Sequence, residues 1–239
     1  MKVAIMQPYF MPYIGYISLI KHSDLFILFD PIQFIRHGWI ERNRILKQDE
    51  GWLYIQVPLI KGNRDTLIKD CYVDNSKDWK KKILSQIQIY KKKAPYYYKV
   101  IKLIEEIFEY DSDTITGINK HALEKICQYL GFEKKLPVFS DMNLNIETPT
   151  GPDEWALNIC KKLESDRDIH YINPIGGIDF FNTQKYTDCN IEISFQKMIP
   201  VDYDQKRENF EYGLSIIDVM MFNSPEEINM MLDQFELIK

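Results

Sequence analysis

The chain has 239 residues, 45% hydrophobic and 27% charged, with 15 Tyr, 13 Phe and 4 Trp. That is enough apolar mass to bury a real core, and the aromatic content excludes a disordered chain. The net charge of −5 argues against an obligate nucleic-acid binder, which would carry a net basic face.

The first element is KVAIMQP, a short buried strand that Pro8 ends. Apolar residues at 14, 17, 19 and 20 predict a helix over IGYISLIKHS, and DLFILFD predicts a second buried strand. Strand, turn, helix and strand within 30 residues make one βαβ unit, with a parallel pair and a right-handed crossover. GWLYIQVPLI is a third strand, with Pro58 placing its end near a sheet edge. From about 76 to 130 the pattern turns helical: Trp79, Ile83, Ile87 and Tyr90 recur at helical steps, and Gly131 is a good stop. KLPVFSDMNL reads as a further strand. GPDEWALNICKKLES then reads as a helix with Pro152 near its first position, and IHYINPIGG as a strand with a glycine turn. GIDFFNTQKYTD is a short helix and IEISFQKM a strand. FEYGLSIIDVMMFNSPEEINMMLDQFELI supplies two final helices. The expected fold is α/β: a Rossmann-like parallel sheet forming one body over 1–239, with a helical insertion at about 76–130.

Cysteines at 71, 127, 160 and 189 include no CxxC pair and read as free thiols in a reducing compartment. The N-terminal apolar stretch is too short for a signal peptide. No run approaches the roughly 20 apolar residues of a spanning helix, so a cytoplasmic protein without membrane insertion is expected. HExxH, GxSxG and Walker lysine motifs are absent, so neither a metal nor a cofactor is expected. His22, His121 and His170 are read as structural.

Four segments can carry chemistry. QPYFMPYIGY leaves the first strand at its carboxyl end, where open α/β sheets bind ligands. It offers Gln7, Tyr9, Tyr13 and Tyr16, with Gly15 allowing close backbone approach. DPIQFIRHGWIERNRI follows the second strand and mixes Asp30, Gln33, His37, Glu41, Arg42, Asn43 and Arg44 with Trp39. Aromatic faces and forked donors suit a sugar or nucleotide, and His37 is a candidate base. In YINPIGG, backbone amides at Gly176 and Gly177 can cradle an oxyanion. In LSIIDVMMFNS, Asp218 sits in an apolar helix and must find a partner or a catalytic use.

MQPYFMPYIGYISLI, DLFILFDPIQF, GWIERNRI, YINPIGG and LSIIDVMMFN together resemble the WbqC-like family, in order and over nearly the whole chain. The resemblance implies a bacterial cytoplasmic protein encoded among genes for surface polysaccharide such as O-antigen. Such gene clusters often make nucleotide-linked amino-deoxysugars. The N-terminus is also distantly similar to pantothenate synthetase and other HIGH-type nucleotidyltransferase folds. Tyr13 and Tyr16 stand where those folds place phosphate-contacting histidines, which argues against ATP chemistry.

The expected function is acyl or aminoacyl transfer to the amine of a nucleotide-linked amino-deoxysugar. His37 or Glu41 would act as base, with Asp218 a further catalytic candidate. Gly176 and Gly177 would supply oxyanion donors, and Arg42 and Arg44 would hold the diphosphate. Tyr9, Tyr13 and Trp39 would stack on rings. Two alternatives stand beside it: adenylate-forming chemistry with Gln7, Tyr13 and Tyr16 on the phosphates, and a non-catalytic sugar-nucleotide-binding partner.

Overall fold

The structure, a computed structural model, describes residues 1–163 and 165–239. The opening unit folds as its pattern requires. Strand β1 (Lys2–Met6), helix α1 (Ile14–His22) and strand β2 (Leu25–Leu28) follow one another, and the two strands pair in parallel from Val3↔Leu25 to Met6↔Leu28. On the other side of β1 lies β5 (His170–Pro174), also parallel, followed by β6 (Glu192–Met198). The sheet order is β2-β1-β5-β6-β7, with β7 (Phe235–Ile238) antiparallel to β6 at the edge. The mixed α/β architecture with a mostly parallel central sheet matches the expectation.

Alternate residues along each strand serve opposite faces, as a period of two demands. Ala4, Phe26, Leu28 and Ile172 face the larger core. That core also takes in α1, the helices α2 (Trp79–Ile87), α3 (Tyr97–Glu109) and α4 (Ile115–Tyr129), and the helices α7 (Ile216–Phe222) and α8 (Pro225–Leu232). Val3, Ile5, Ile27, Tyr171, Ile193 and Phe195 face the smaller core, closed by α5 (Glu154–Cys160) and α6 (Thr183–Thr187). Both sheet faces are therefore covered, which explains why β1 and β2 read as continuous apolar runs. Gly131 ends α4 at φ +84°, a left-handed position that glycine takes without a Cβ penalty.

Several expectations are corrected. KLPVFSDMNL forms no strand. Val138 makes a single parallel bridge to Leu28, Pro137 has no amide to donate, and Asp30 folds the next residues into a turn by accepting from Ser140 N (3.1 Å) and Oγ (2.7 Å). GWLYIQVPLI does not join the central sheet. Its strand β4 (Trp52–Gln56) forms a separate antiparallel hairpin with β3 (Arg42–Leu46), which begins within DPIQFIRHGWIERNRI, where no strand is expected. The last helix stops at Leu232, after which FELI pairs as β7. It is short and only partly covered, as an edge strand can be, and the helical spacing before it obscured it.

Candidate functional site

The strand order reverses between β1 and β5. That switch point leaves a crevice at the carboxyl ends of two parallel strands whose connections depart in different directions. A cavity of about 490 Å³ lies there. Its lining combines Met6 and Tyr9 from the end of β1, Tyr13 before α1, and Trp39, Asn43 and Arg44 at the start of the hairpin. Residues 173–177, the end of β5 and the turn beyond it, and Gly213 complete it.

The opening turn is rigid because its backbone acceptors are taken. Two prolines remove donors from the turn, so other elements supply them. Tyr16 Oη donates to Gln7 O (2.8 Å), and Asn119 Nδ2 donates to Pro8 O (2.8 Å) and Ile40 O (2.9 Å). Asn43 Nδ2 donates to Phe10 O (3.1 Å), Ser215 Oγ to Met11 O (2.7 Å) and Ile216 N to Pro12 O (2.7 Å). Phe10 and Met11 are buried beneath the turn, while Tyr9 and Tyr13 are held at the cavity wall. Burial pushes the pKa of both phenols up, so at neutral pH they remain hydroxyl groups able to donate.

The opposite wall is built on cation–aromatic stacking. The Arg44 guanidinium lies 5.4 Å from the Trp39 ring and 5.1 Å from the Trp52 ring, and it donates to Gly213 O at 2.9 Å. Asn43 Oδ1 accepts from Arg44 N (2.8 Å), which fixes the amide. On the third side, Asn173 accepts from Tyr171 Oη (3.0 Å) and donates to Pro174 O (2.9 Å). A Cβ on Gly176 would meet nothing within 4 Å, so that backbone is open to a ligand. A Cβ on Gly177 would collide with the Asn173 amide, so this glycine serves packing. Gly15 serves the Tyr13 ring in the same way, since a Cβ there would strike it.

Seven of the sequence-derived candidates thus converge: Tyr9, Tyr13, Trp39, Asn43, Arg44, Gly176 and Gly177. The others lie elsewhere. Tyr16 is fully buried and serves as a strut under the turn. Gln7 gives its carbonyl to Tyr16, Asp30 is buried against Ser140, and Gln33 donates to Arg64 O at 2.7 Å. Arg42 stacks 3.9 Å from the Tyr54 ring and donates to His37 O. His37 and Glu41 line a separate cavity of about 210 Å³, with Arg36, Gln56 and Cys71 among its walls. Glu41 there is buried and accepts from His37 N at 2.8 Å, and His37 sits at φ +64°. Asp218 is fully buried, accepting from Tyr90 Oη (2.7 Å), Tyr203 Oη (2.6 Å) and Gln205 Nε2 (2.9 Å). Burial raises its pKa to about 6 despite those three donors.

Met6, Asn173 and Gly213 escaped sequence reasoning as lining residues, and Asn119 escaped it as the clamp on the turn. Asn173 lies inside the quoted YINPIGG and carried a usable signal, since an amide beside a strand end is a common ligand group. Asn119 gave none, being one polar residue on the buried side of a long helix.

The family comparison agrees with the span of these elements. The chain belongs to the WbqC-like protein family, whose model matches residues 7–230, from the opening turn to α8. It is similar to an uncharacterized protein of Mycobacterium tuberculosis (strain ATCC 25618 / H37Rv), 27% identical over 230 residues, which cover 93% of each chain. No solved structure matches it. No helix among the described residues is long and apolar enough to cross a membrane.

Proposed function

We propose that the switch-point cavity binds a nucleotide-linked amino-deoxysugar and that the chain transfers an acyl or aminoacyl group to its amine, in the assembly of a surface polysaccharide. One observation carries the reading. The cavity at the ends of β1 and β5 joins three aromatic side chains, one stacked guanidinium, two fixed amides and an open glycine backbone. Rings bind on aromatic faces, and hydroxyls bind to amides and phenols. A diphosphate binds to Arg44, whose charge no carboxylate neutralises among the described residues. In the transfer, the neutral sugar amine attacks the carbonyl carbon of an activated ester or thioester. The C–N bond forms, the bond from the carbonyl carbon to the donor's oxygen or sulfur breaks, and the amine proton leaves with that group. The phenols of Tyr9 and Tyr13 can relay the proton or donate to the oxyanion.

A second reading has its own support: a non-catalytic sugar-nucleotide binder. Among the described residues no carboxylate or imidazole lines the cavity, and His37 and Glu41 face the smaller one. Adenylate chemistry is less supported, since Tyr16 is sealed in the core where such folds present a histidine.

Incubation with dTDP-linked amino sugars and a panel of acyl and aminoacyl donors separates these readings. An amine-linked mass increase supports transfer. Thermal stabilisation by the sugar nucleotide without a mass increase supports the binder. Arg44→Ala should weaken binding about tenfold, the scale of one charge-assisted hydrogen bond. Undiminished binding would move the ligand out of this cavity.

A further inference from the structure

We propose that the chain carries a second ligand site, a basic cleft for a small molecule bearing two or more phosphates. The cleft has about 480 Å³ and lies between the β3 end of the hairpin, the turn after α2 and the loop at 205–207. Lys47, Lys91, Lys92, Lys93 and Arg207 line it, and among the described residues no carboxylate does. This concentration of one sign occurs on a chain whose net charge is −5.

Several lysines elsewhere in the chain are held by carboxylates. Lys21 pairs with Asp233 at 2.6 Å, Lys161 with Glu147 at 2.7 Å, and Lys185 with Glu154 at 2.8 Å. Lys47, Lys91, Lys92 and Lys93 form no ion pair and no side-chain hydrogen bond among the described residues. Cations after a helix can simply complement its carboxyl-terminal dipole. That account covers the three consecutive lysines only in part, because their amines bind none of the terminal carbonyls. It does not cover Lys47 or Arg207, which come from other elements.

The rest of the cleft is fixed. Arg207 is anchored by donating to the carbonyls of Gly51 (3.1 Å), Lys47 (2.6 Å) and Asp49 (3.3 Å), neutral partners, and the nearby buried Asp218 feels its charge without forming an ion pair with it. Tyr90 accepts from Leu46 N at 3.0 Å and donates to Asp218, so the wall beneath the lysines cannot rotate freely. Ser85, Gln88 and Gln205 add neutral polar groups, and Phe222 packs edge-on to Tyr90 at 5.8 Å. Several unpartnered ammonium groups above a fixed, partly aromatic floor suit a polyphosphate better than a single anion. The volume is that of a small-molecule site. The same loop that brings Gln205 to this cleft brings Gly213 to the switch-point cavity, so the two sites share one connecting segment.

Isothermal titration with inorganic pyrophosphate and tripolyphosphate at about 0.1 M salt tests the proposal. Saturable binding is expected, with tripolyphosphate the tighter ligand. Replacing Lys91, Lys92 and Lys93 together by Gln should weaken it at least about tenfold, since several charge-assisted hydrogen bonds are lost. Replacing Lys81, Lys102 and Lys162 by Gln removes the same charge from separated surface positions and should change it less than about twofold. Tighter binding of ATP than of tripolyphosphate would support the proposal and add a ring on the Phe222 floor. No saturation by either anion would overturn it. So would equal loss in both lysine triples, or saturation by RNA alone.

Discussion

Two tyrosine-rich clusters in this molecule look alike in sequence and differ in kind. At the switch point, Tyr9 and Tyr13 join Trp39, Asn43 and Arg44 around open space. Around Asp218, Tyr90, Tyr203 and Gln205 close on a fully buried carboxylate. In the second cluster every polar group is committed to another protein group, and the product is rigidity. In the first, protein hydrogen bonds fix the scaffold while phenols, the charge of a guanidinium bound only to a neutral carbonyl, and a glycine backbone remain uncommitted. A ligand site differs from a structural network in what is left uncommitted, and residue types alone do not show that.

The largest way to break this contrast is to remove the closed cluster's centre. Asp218→Ala leaves two phenols and an amide buried without an acceptor. Chemical denaturation should show a loss of about 4 kcal/mol, the scale for breaking a buried charged network. A loss under about 1 kcal/mol would mean that the network is not structural.

The pH dependence sharpens the same point. The Asp218 carboxyl titrates near 6 in the folded chain, above the ordinary value of 3.8, because burial disfavours its charge. The folded state holds that proton to higher pH than the unfolded state. Asp218 therefore contributes most stability below about pH 4, and this contribution falls as pH rises through 6, by about 3 kcal/mol. Urea midpoints of the wild type should decline over that window relative to Asp218→Asn, which does not titrate. Parallel curves would refute the assignment.

A smaller effect links the clamp to the open cluster. Asn119→Ala strips donors from Pro8 O and Ile40 O, both held by one buried amide. About 2 kcal/mol of stability should be lost. Sugar-nucleotide affinity should fall with it, because the turn carrying Tyr9 and Tyr13 loses one of its ties to the hairpin side, leaving the Asn43 amide on Phe10 O. Full stability with unchanged affinity would show that the turn holds itself.

The sequence made the βαβ opening legible because β1, α1 and β2 are local and their burial periods are clean. It made the site legible in pieces: each aromatic-polar segment lies at a strand or hairpin end, where side chains gather. It could not show that residues 9–13, 39–44 and 176–177 meet while His37 and Glu41 turn away. That separation depends on β3, whose RNRIL pattern alternates charged residues with buried ones and reads as a polar loop. Pairing with β4 pins Arg42 opposite Gln56 and Arg44 opposite Tyr54. The positive φ at His37, just upstream, accompanies a turn in which its amide bonds Glu41 and its carbonyl accepts from Arg42. Those are long-range and conformational facts with no local signature.

The finest discrimination rests on two adjacent glycines. Gly176 and Gly177 look equivalent in YINPIGG, yet only the first has free space where a Cβ would sit. Neither has a positive φ, so alanine at either position meets no left-handed backbone strain. Gly176→Ala should therefore leave stability within about 0.5 kcal/mol of wild type, since it removes unfolded-state freedom and adds no clash. Its methyl group would enter the cavity and should lower sugar-nucleotide affinity a few-fold. Gly177→Ala should do the reverse. The Asn173 amide must move, its hydrogen bond to Pro174 O is disturbed, and about 1 kcal/mol of stability should be lost. Thermal melts and titrations of the two variants side by side decide the matter. If both lose affinity without losing stability, the ligand reaches past Gly176 and displaces Asn173. If neither loses affinity, the glycine turn only closes β5 onto its helix and the ligand is held by the aromatic and arginine walls.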